Sequence, residues 1–434
     1  MSEVPPSSFE VVIVGGGLCG LTAATLLARA GKRVCLVERS AQLGGRAITR
    51  HQDGYSLNLG PHALYRGGHA FRILRGLGLT PRGGLATTRG LAGLGTELHR
   101  IPTGPGALLT TRLLSASSKM DAMRVLTTLP LTSPRNLEGK TVSAWLAPLA
   151  PDLRQLLLTF LRLSTYANAP ERQDAGAALR QLNMAVRSGT LYLDDGWQSL
   201  VTSLTSVAKE AGVSFRTGSV TRILHDHRVQ GIMLATGETI PAGNVLLTLP
   251  PAQCARLLDE EAGAPLRRWS ERLVPVKAAC MDLALRKLPQ PKSCLALGID
   301  LPWYVSVHSA SARLAPPGGA VLHAAWYLDP ADEGPAARHE GALEAALDRL
   351  QPGWRAEVVQ RRFMPNLTVT HALDTPDGRP EADAAGIAGL YLAGDWVGPD
   401  GMLADAAMAS AERAVRLIQA ASSPSIHPTS AALS

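Results

Sequence analysis

Near the start of the chain the residues read VVIVGGGLCG, and within them Gly15, Gly17 and Gly20 stand at the spacing Gly-x-Gly-x-x-Gly. Where a strand turns into a helix, that spacing has a defined chemistry. The first glycine permits a tight turn, the second lets backbone approach a pyrophosphate, and the third lets helix and strand pack closely. The helix then opens at Leu18 and Cys19, whose amides can face the anion. Glu38 closes the next apolar run, RVCLVE, where a carboxylate can accept both hydroxyls of a ribose. These residues together predict a site for a dinucleotide.

Such a site needs a βαβ unit, and the sequence supplies one. Residues 9–14 are β-branched and continuously apolar, the pattern of a buried parallel strand. Residues 18–30 form helix, Gly31 caps it, and 33–38 form the second strand. From about 103 to 187 the pattern is helical and leucine-rich, as in DLRQLLLTFLRLS, and 195–212 is an amphipathic helix ending on glycine. Short strands follow in SVTRIL, RVQGIML and NVLLTLPP. Residues 274–363 carry longer ones (VKAACMDLAL, WYVSVHS, AVLHAAWYL) and a helix near 342–350. GLYLAGDW reads as a last buried strand and LADAAMASAERAVRLIQA as a last helix. The stretch 421–434 is small, polar and proline-containing, and is expected to be disordered.

Bulk composition narrows the function. A chain of 434 residues predicts two or three domains. Charged residues make up 18% and apolar residues 46%, which suits a large buried interior and an apolar ligand. The net charge of +7 is dispersed, without a block of like charges, so nucleic acid is not an expected partner. The five cysteines form no Cys-x-x-Cys pair and read as small buried residues in a reducing compartment. No metal site is expected. The first ten residues lack a basic and an apolar region, so the expected location is cytoplasmic. The apolar run 11–28 is interrupted by three glycines, which argues against a membrane span.

Further motifs add to the first: LGGRA at 43–47, LNLGPHAL at 57–64, and GLYLAGDWVGPDGMLADAAMASAERAV near the other end. With these the chain resembles the superfamily of flavin-containing amine oxidases, phytoene desaturases and protoporphyrinogen oxidase. The resemblance implies FAD, held by Gly15, Gly17, Leu18, Cys19, Gly20, Glu38, Arg39, Gly44, Gly45, Arg46, Gly60, Pro61, Gly394, Asp395, Met402 and Leu403, with Val220 on the adenine side. It implies an α/β fold: a Rossmann-type, doubly wound FAD domain built from 1–65, 190–250 and 385–420. A helical substrate or lid region (66–189) and a substrate sheet (251–384) would complete it. No cysteine follows Cys294, so a cysteinyl–flavin bond near the C-terminal motif is excluded and FAD is expected to be noncovalent.

The residues beside the flavin would choose the substrate. Lys277, one of seven lysines, lies in an otherwise apolar strand, where amine oxidases of the superfamily often place a lysine near flavin N5. His62 and Tyr65 follow the Gly60–Pro61 turn and are candidates to orient substrate or move a proton. Trp197 and Tyr327 are candidate pocket walls, with His323 and Trp326 as weaker ones. Met402 occupies the position where amine oxidases keep an aromatic for the substrate nitrogen, and a methionine suits an irregular apolar ligand instead. The expectation is hydride abstraction from a lipophilic, isoprenoid-like or polycyclic substrate, with oxygen or a quinone as acceptor. Two competing readings are an amine oxidase, favoured by Lys277, and a non-catalytic lipid-binding escort of the same fold. The basic, leucine-rich stretch 103–163, with Arg112, Lys119, Arg124, Arg154 and Arg162, predicts contact with a membrane surface.

Overall fold

The computed structural model describes residues 9–128, 131–332 and 334–422. Its first sheet grows from the glycine-flanked strand Phe9–Val14. Val34–Glu38 lies parallel on one side and Thr239–Leu247 parallel on the other. Ser214–Thr217 and Leu390–Leu392 extend the parallel array outward. Thr239–Leu247 is long enough to serve a second sheet as well, pairing antiparallel with Val229–Leu234, which pairs antiparallel with Val220–His225. The central residues Val11, Val12 and Ile13 are fully buried, as the unbroken apolar run requires. The helix Leu18–Arg29 packs against Gln198–Glu210 and Leu403–Ser422, closing the core. The fold is α/β, with this sheet drawn from three separate stretches of chain.

The second large sheet has seven strands. Val276–Leu285 lies near one edge, between Val358–Thr370 and Ala320–Tyr327, and antiparallel to both. Trp303–Val307, Leu295–Gly298, Leu91–Leu94 and Glu97–Arg100 complete it. Strand alternation gives the sheet two different faces. Ala279, Met281, Leu283 and Trp326 pack with the helix Ala336–Leu350. Ala278, Cys280, Tyr304 and Tyr327 pack with residues from the helical stretch, such as Leu108, Leu153, Leu156 and Tyr166. All five cysteines are free, four of them buried.

Some boundaries differ from the sequence reading. Within 66–102, read as part of a helical region, lie three strands (Gly83–Leu85, Leu91–Leu94, Glu97–Arg100), and two of them join the second large sheet. All three are only three or four residues long, and two of them contain glycine, so no alternation shows. The helix expected near 342–350 begins at Ala336, because its first turns are polar and hide the period. Residues 421 and 422 end the last helix, and the remainder of the stretch read as a disordered tail lies outside the described residues. Among the described residues no helix is long and apolar enough to cross a membrane, and no cluster of three or more His, Cys, Asp or Glu could hold a metal ion.

Candidate cofactor and substrate site

The three motif glycines do three different jobs. Gly15 has φ +112°, a conformation open to few other residues. A Cβ on Gly20 would lie 2.0 Å from the Gly15 carbonyl oxygen, so that glycine is needed for helix–strand contact. A Cβ on Gly17 would meet nothing nearer than the Gly44 oxygen at 3.9 Å, so protein packing leaves space there. Gly17 is also the N-cap of the Leu18–Arg29 helix, with no side-chain cap and no acid in the first turn. A bare helix N-terminus facing open space is a ready anion site.

The neighbouring groups converge on this turn. Glu38 accepts from the Gly16 amide through Oε2 at 2.7 Å and from the Ser40 amide through Oε1 at 2.9 Å. Each oxygen keeps a lone pair, enough for two ribose hydroxyls. Arg39 lies exposed just beyond. The Gly44 amide donates to the Gly16 carbonyl at 2.8 Å, and Gly44 and Gly45 both take positive φ, +127° and +55°. Arg46 then reaches Asp395 at 2.7 Å and the Val369 carbonyl at 2.8 Å. Asp395 also receives the His371 ring at 3.1 Å, and the preceding Gly394 amide donates to Ser410 at 2.9 Å. Burial alone would raise the Asp395 pKa, but Arg46 and His371 hold it well below the usual carboxylate range. The first, second and last motifs therefore meet around Gly17, and the residues fit a dinucleotide. Sequence reasoning missed His371 and Ser410, which carry no motif of their own. Val220 opens its antiparallel strand, half-buried against the same core.

The Gly60–His62 segment faces the other way, onto the second large sheet. Gly60 has φ +75°, and a Cβ there would lie 2.9 Å from Leu367 and 3.2 Å from the Cys280 sulfur. Pro61 follows, half-buried. His62 Nδ1 is 3.1 Å from the Gly60 carbonyl, and its ring centroid is 5.0 Å from that of Trp197. The residue is half-buried, and its surroundings desolvate the ring and push its pKa down to about 4. It is neutral at neutral pH. Trp197 is buried, and its indole N–H is enclosed without a partner. Tyr65 is buried and donates to the Ser164 carbonyl at 2.7 Å, so its proton is committed, and burial raises its pKa.

Met402 and Leu403 stand at the start of the last helix, with Leu403 at φ +58°. Leu403 joins the apolar cluster of Cys280, Tyr166 and Tyr327. Met402 lines a cleft of about 550 Å³ together with Met184, Gln181, Arg180, Arg187 and Asp405. Burial pushes the Asp405 pKa up to about 7 against a hydrogen bond from the Ala70 amide that pulls it down. Lys277 is not brought to this group. Ala278, Cys280 and Asp282 alternate onto the side that meets Gly60, whereas Lys277 shares the opposite side with Ala279 and Met281.

A parallel sheet with a bare helix N-terminus, a ribose-ready glutamate and two further glycine turns defines a dinucleotide-binding oxidoreductase fold. Residues 18–419 match the family of flavin containing amine oxidoreductases, and the chain belongs to that family. It is 29% identical over 290 residues to hydroxyneurosporene desaturase of Cereibacter sphaeroides, covering 58% of each chain. It is 52% identical over 57 residues to an L-amino-acid oxidase of Naja atra, covering 13% of this chain and 11% of the relative. These matches therefore span between about a tenth and three fifths of the relatives' length. An oxidoreductase from Methanosarcina mazei has the same fold, with a TM-score of 0.76, 21% identity, and coverage of 94% of this chain and 99% of that one.

Proposed function

We propose that this chain is an FAD-dependent oxidoreductase that takes hydride from a lipophilic, isoprenoid-like or polycyclic substrate and passes the electrons to oxygen or a quinone. FAD supplies the hydride acceptor. Gly17 and the amides of Leu18 and Cys19 receive its pyrophosphate, Glu38 its ribose, and the Gly60–His62 turn and Met402–Leu403 border its ring. Its binding is noncovalent. The Cys19 thiol, the one beside the glycine turn, has its pKa pushed up to about 12 by burial and is a poor nucleophile.

The observation that carries the substrate class is the apolar cluster of Leu403, Tyr166, Tyr327 and Cys280, continued by Met402 after Gly401. An apolar substrate held in the cleft beside Met402, against the edge of this cluster, would gain about 25 cal/mol for each Å² removed from water, and needs no charged anchor. A second reading, oxidation of an amine, is favoured by the Asp405 carboxyl on the cleft and by the likeness to an L-amino-acid oxidase. Against it, a carboxyl with a pKa near 7 is only partly ionised at neutral pH and makes a weak ammonium partner. The 103–163 stretch presents Leu109 and Met120, 57% and 72% exposed, among the exposed Arg112 and Arg124, which suits an anionic lipid surface.

Anaerobic mixing of the holoprotein with carotenoid precursors, porphyrinogens and amines tests the substrate class. Bleaching of the flavin band by a lipophilic substrate is the expected result. Bleaching by a simple amine alone reverses the order of the two readings.

A further inference from the structure

The turn that borders the proposed flavin ring hangs on a buried charge that no motif marks. Asp282 is fully buried in the substrate sheet. Its Oδ2 accepts from the Gly60 amide at 3.2 Å, and from Arg362 Nε at 3.2 Å and Nη2 at 2.5 Å. Its Oδ1 accepts from His323 Nδ1 at 2.6 Å. Arg362 Nη2 also donates to the Asn58 carbonyl. One carboxylate and one guanidinium, on neighbouring strands, therefore grip both ends of the Asn58–Gly60 turn. The Asn58 side chain completes the fixture: its Oδ1 accepts from Thr49 at 2.7 Å and from the Trp197 amide at 3.0 Å.

The network continues away from the turn. His323 meets His308 edge-on with ring centroids 4.4 Å apart, and His308 Nε2 lies 3.1 Å from the Tyr304 hydroxyl. Tyr304 is 3.2 Å from Tyr192, which is 3.0 Å from Ser306. Burial opposes a charge on Asp282, yet His323 and Arg362 together keep its pKa below the ordinary carboxylate value. A fixed charge with directional bonds sets a turn's position more sharply than apolar contact does, because its partners must keep their angles.

We propose that Asp282, aligned by Arg362 and His323, is the positioning residue that sets how the Asn58–Gly60 turn meets the flavin ring. The inference rests on the proposed placement of FAD. Its test uses the full-length holoprotein in three variants. Asp282→Asn keeps an oxygen for the Gly60 amide but loses the charge that orders Arg362. Arg362→Lys keeps the charge but loses the fork. Tyr304→Phe cuts the far end of the network without touching the turn. The readouts are the FAD-to-protein ratio and the visible-region circular dichroism of bound flavin.

The expected result is an FAD ratio equal to wild type in all three, because Gly17 and Glu38 are untouched. The flavin dichroism changes at least twofold in Asp282→Asn, less in Arg362→Lys, and not in Tyr304→Phe. Dichroism in Asp282→Asn that superimposes on wild type overturns the proposal, and so does an equal change in Tyr304→Phe, which marks a general loosening of the core. If Asp282→Asn does not fold, Arg362→Lys decides by the same criterion. Wild-type protein that purifies without flavin defeats the proposed function first, and this inference with it.

Discussion

The nucleotide side and the substrate side of this molecule are built on opposite principles. At the Gly17 turn itself the backbone contacts come from segments within about thirty residues of one another, and Arg46 reaches far along the chain, to Asp395 and Val369. Gly16 meets Glu38 and Gly44, and the glycines themselves create the open space. Around Gly60 nearly every contact is distant in sequence: Asp282 to Gly60, Arg362 to Asn58, Asn58 to Trp197. The turn of the first side depends on glycines, with Glu38 and Arg46 placed around it. The second depends on side chains whose polar atoms must find each other inside a sheet. A backbone cradle tolerates change in its surroundings, whereas a buried polar network is costly wherever one member is lost.

The largest expected effect that sharpens this contrast is at Asp405, a buried acid on the cleft beside Met402. Its folded pKa, about 7, lies above that of an ordinary aspartate, so folding favours the protonated form. Its contribution is fully present below pH 4 and is lost as pH rises through 7. Asp405→Asn should therefore be more stable than wild type at pH 8, by roughly 1–3 kcal/mol, and show little gain at pH 4. Melting curves at the two pH values check this, and a difference that does not change with pH would contradict it. A smaller effect concerns the outer face of the substrate side. The 103–163 stretch should carry the protein upward with anionic liposomes at low salt and release it as salt rises. Protein that stays at the bottom of the gradient at low salt rules out that contact.

The same contrast explains what could be read from the sequence. Strand Phe9–Val14, helix Leu18–Arg29 and strand Val34–Glu38 were legible because period, glycine spacing and carboxylate all fall within one short stretch. Arg46 and Asp395 were legible through the family resemblance, but their pairing with each other was not, since it is made by folding alone. On the substrate side, the strand VKAACMDLAL holds two charged residues in an apolar run. The sequence singles out Lys277, which the pleat turns away from Gly60, whereas Asp282 faces the turn. The signal was present in the lone acid of that strand, but its meaning depends on Arg362 and His323, which reach it only through sheet pairing. Tyr65 shows the limit from the other direction, since its hydroxyl is spent on the Ser164 carbonyl.

The most direct test of the account is the flavin content of Gly17→Val beside Gly20→Ala. A Cβ at Gly17 meets nothing nearer than the Gly44 oxygen at 3.9 Å, so Gly17→Val should fold and melt like wild-type protein stripped of flavin, and purify colourless, its side chain filling the place proposed for the pyrophosphate. A Cβ at Gly20 lies 2.0 Å from the Gly15 carbonyl oxygen, so Gly20→Ala should lose stability and flavin together. Wild-type protein should be yellow, with close to one FAD per chain released by acid. A folded Gly17→Val protein that keeps stoichiometric flavin would contradict the central claim that FAD sits on this turn.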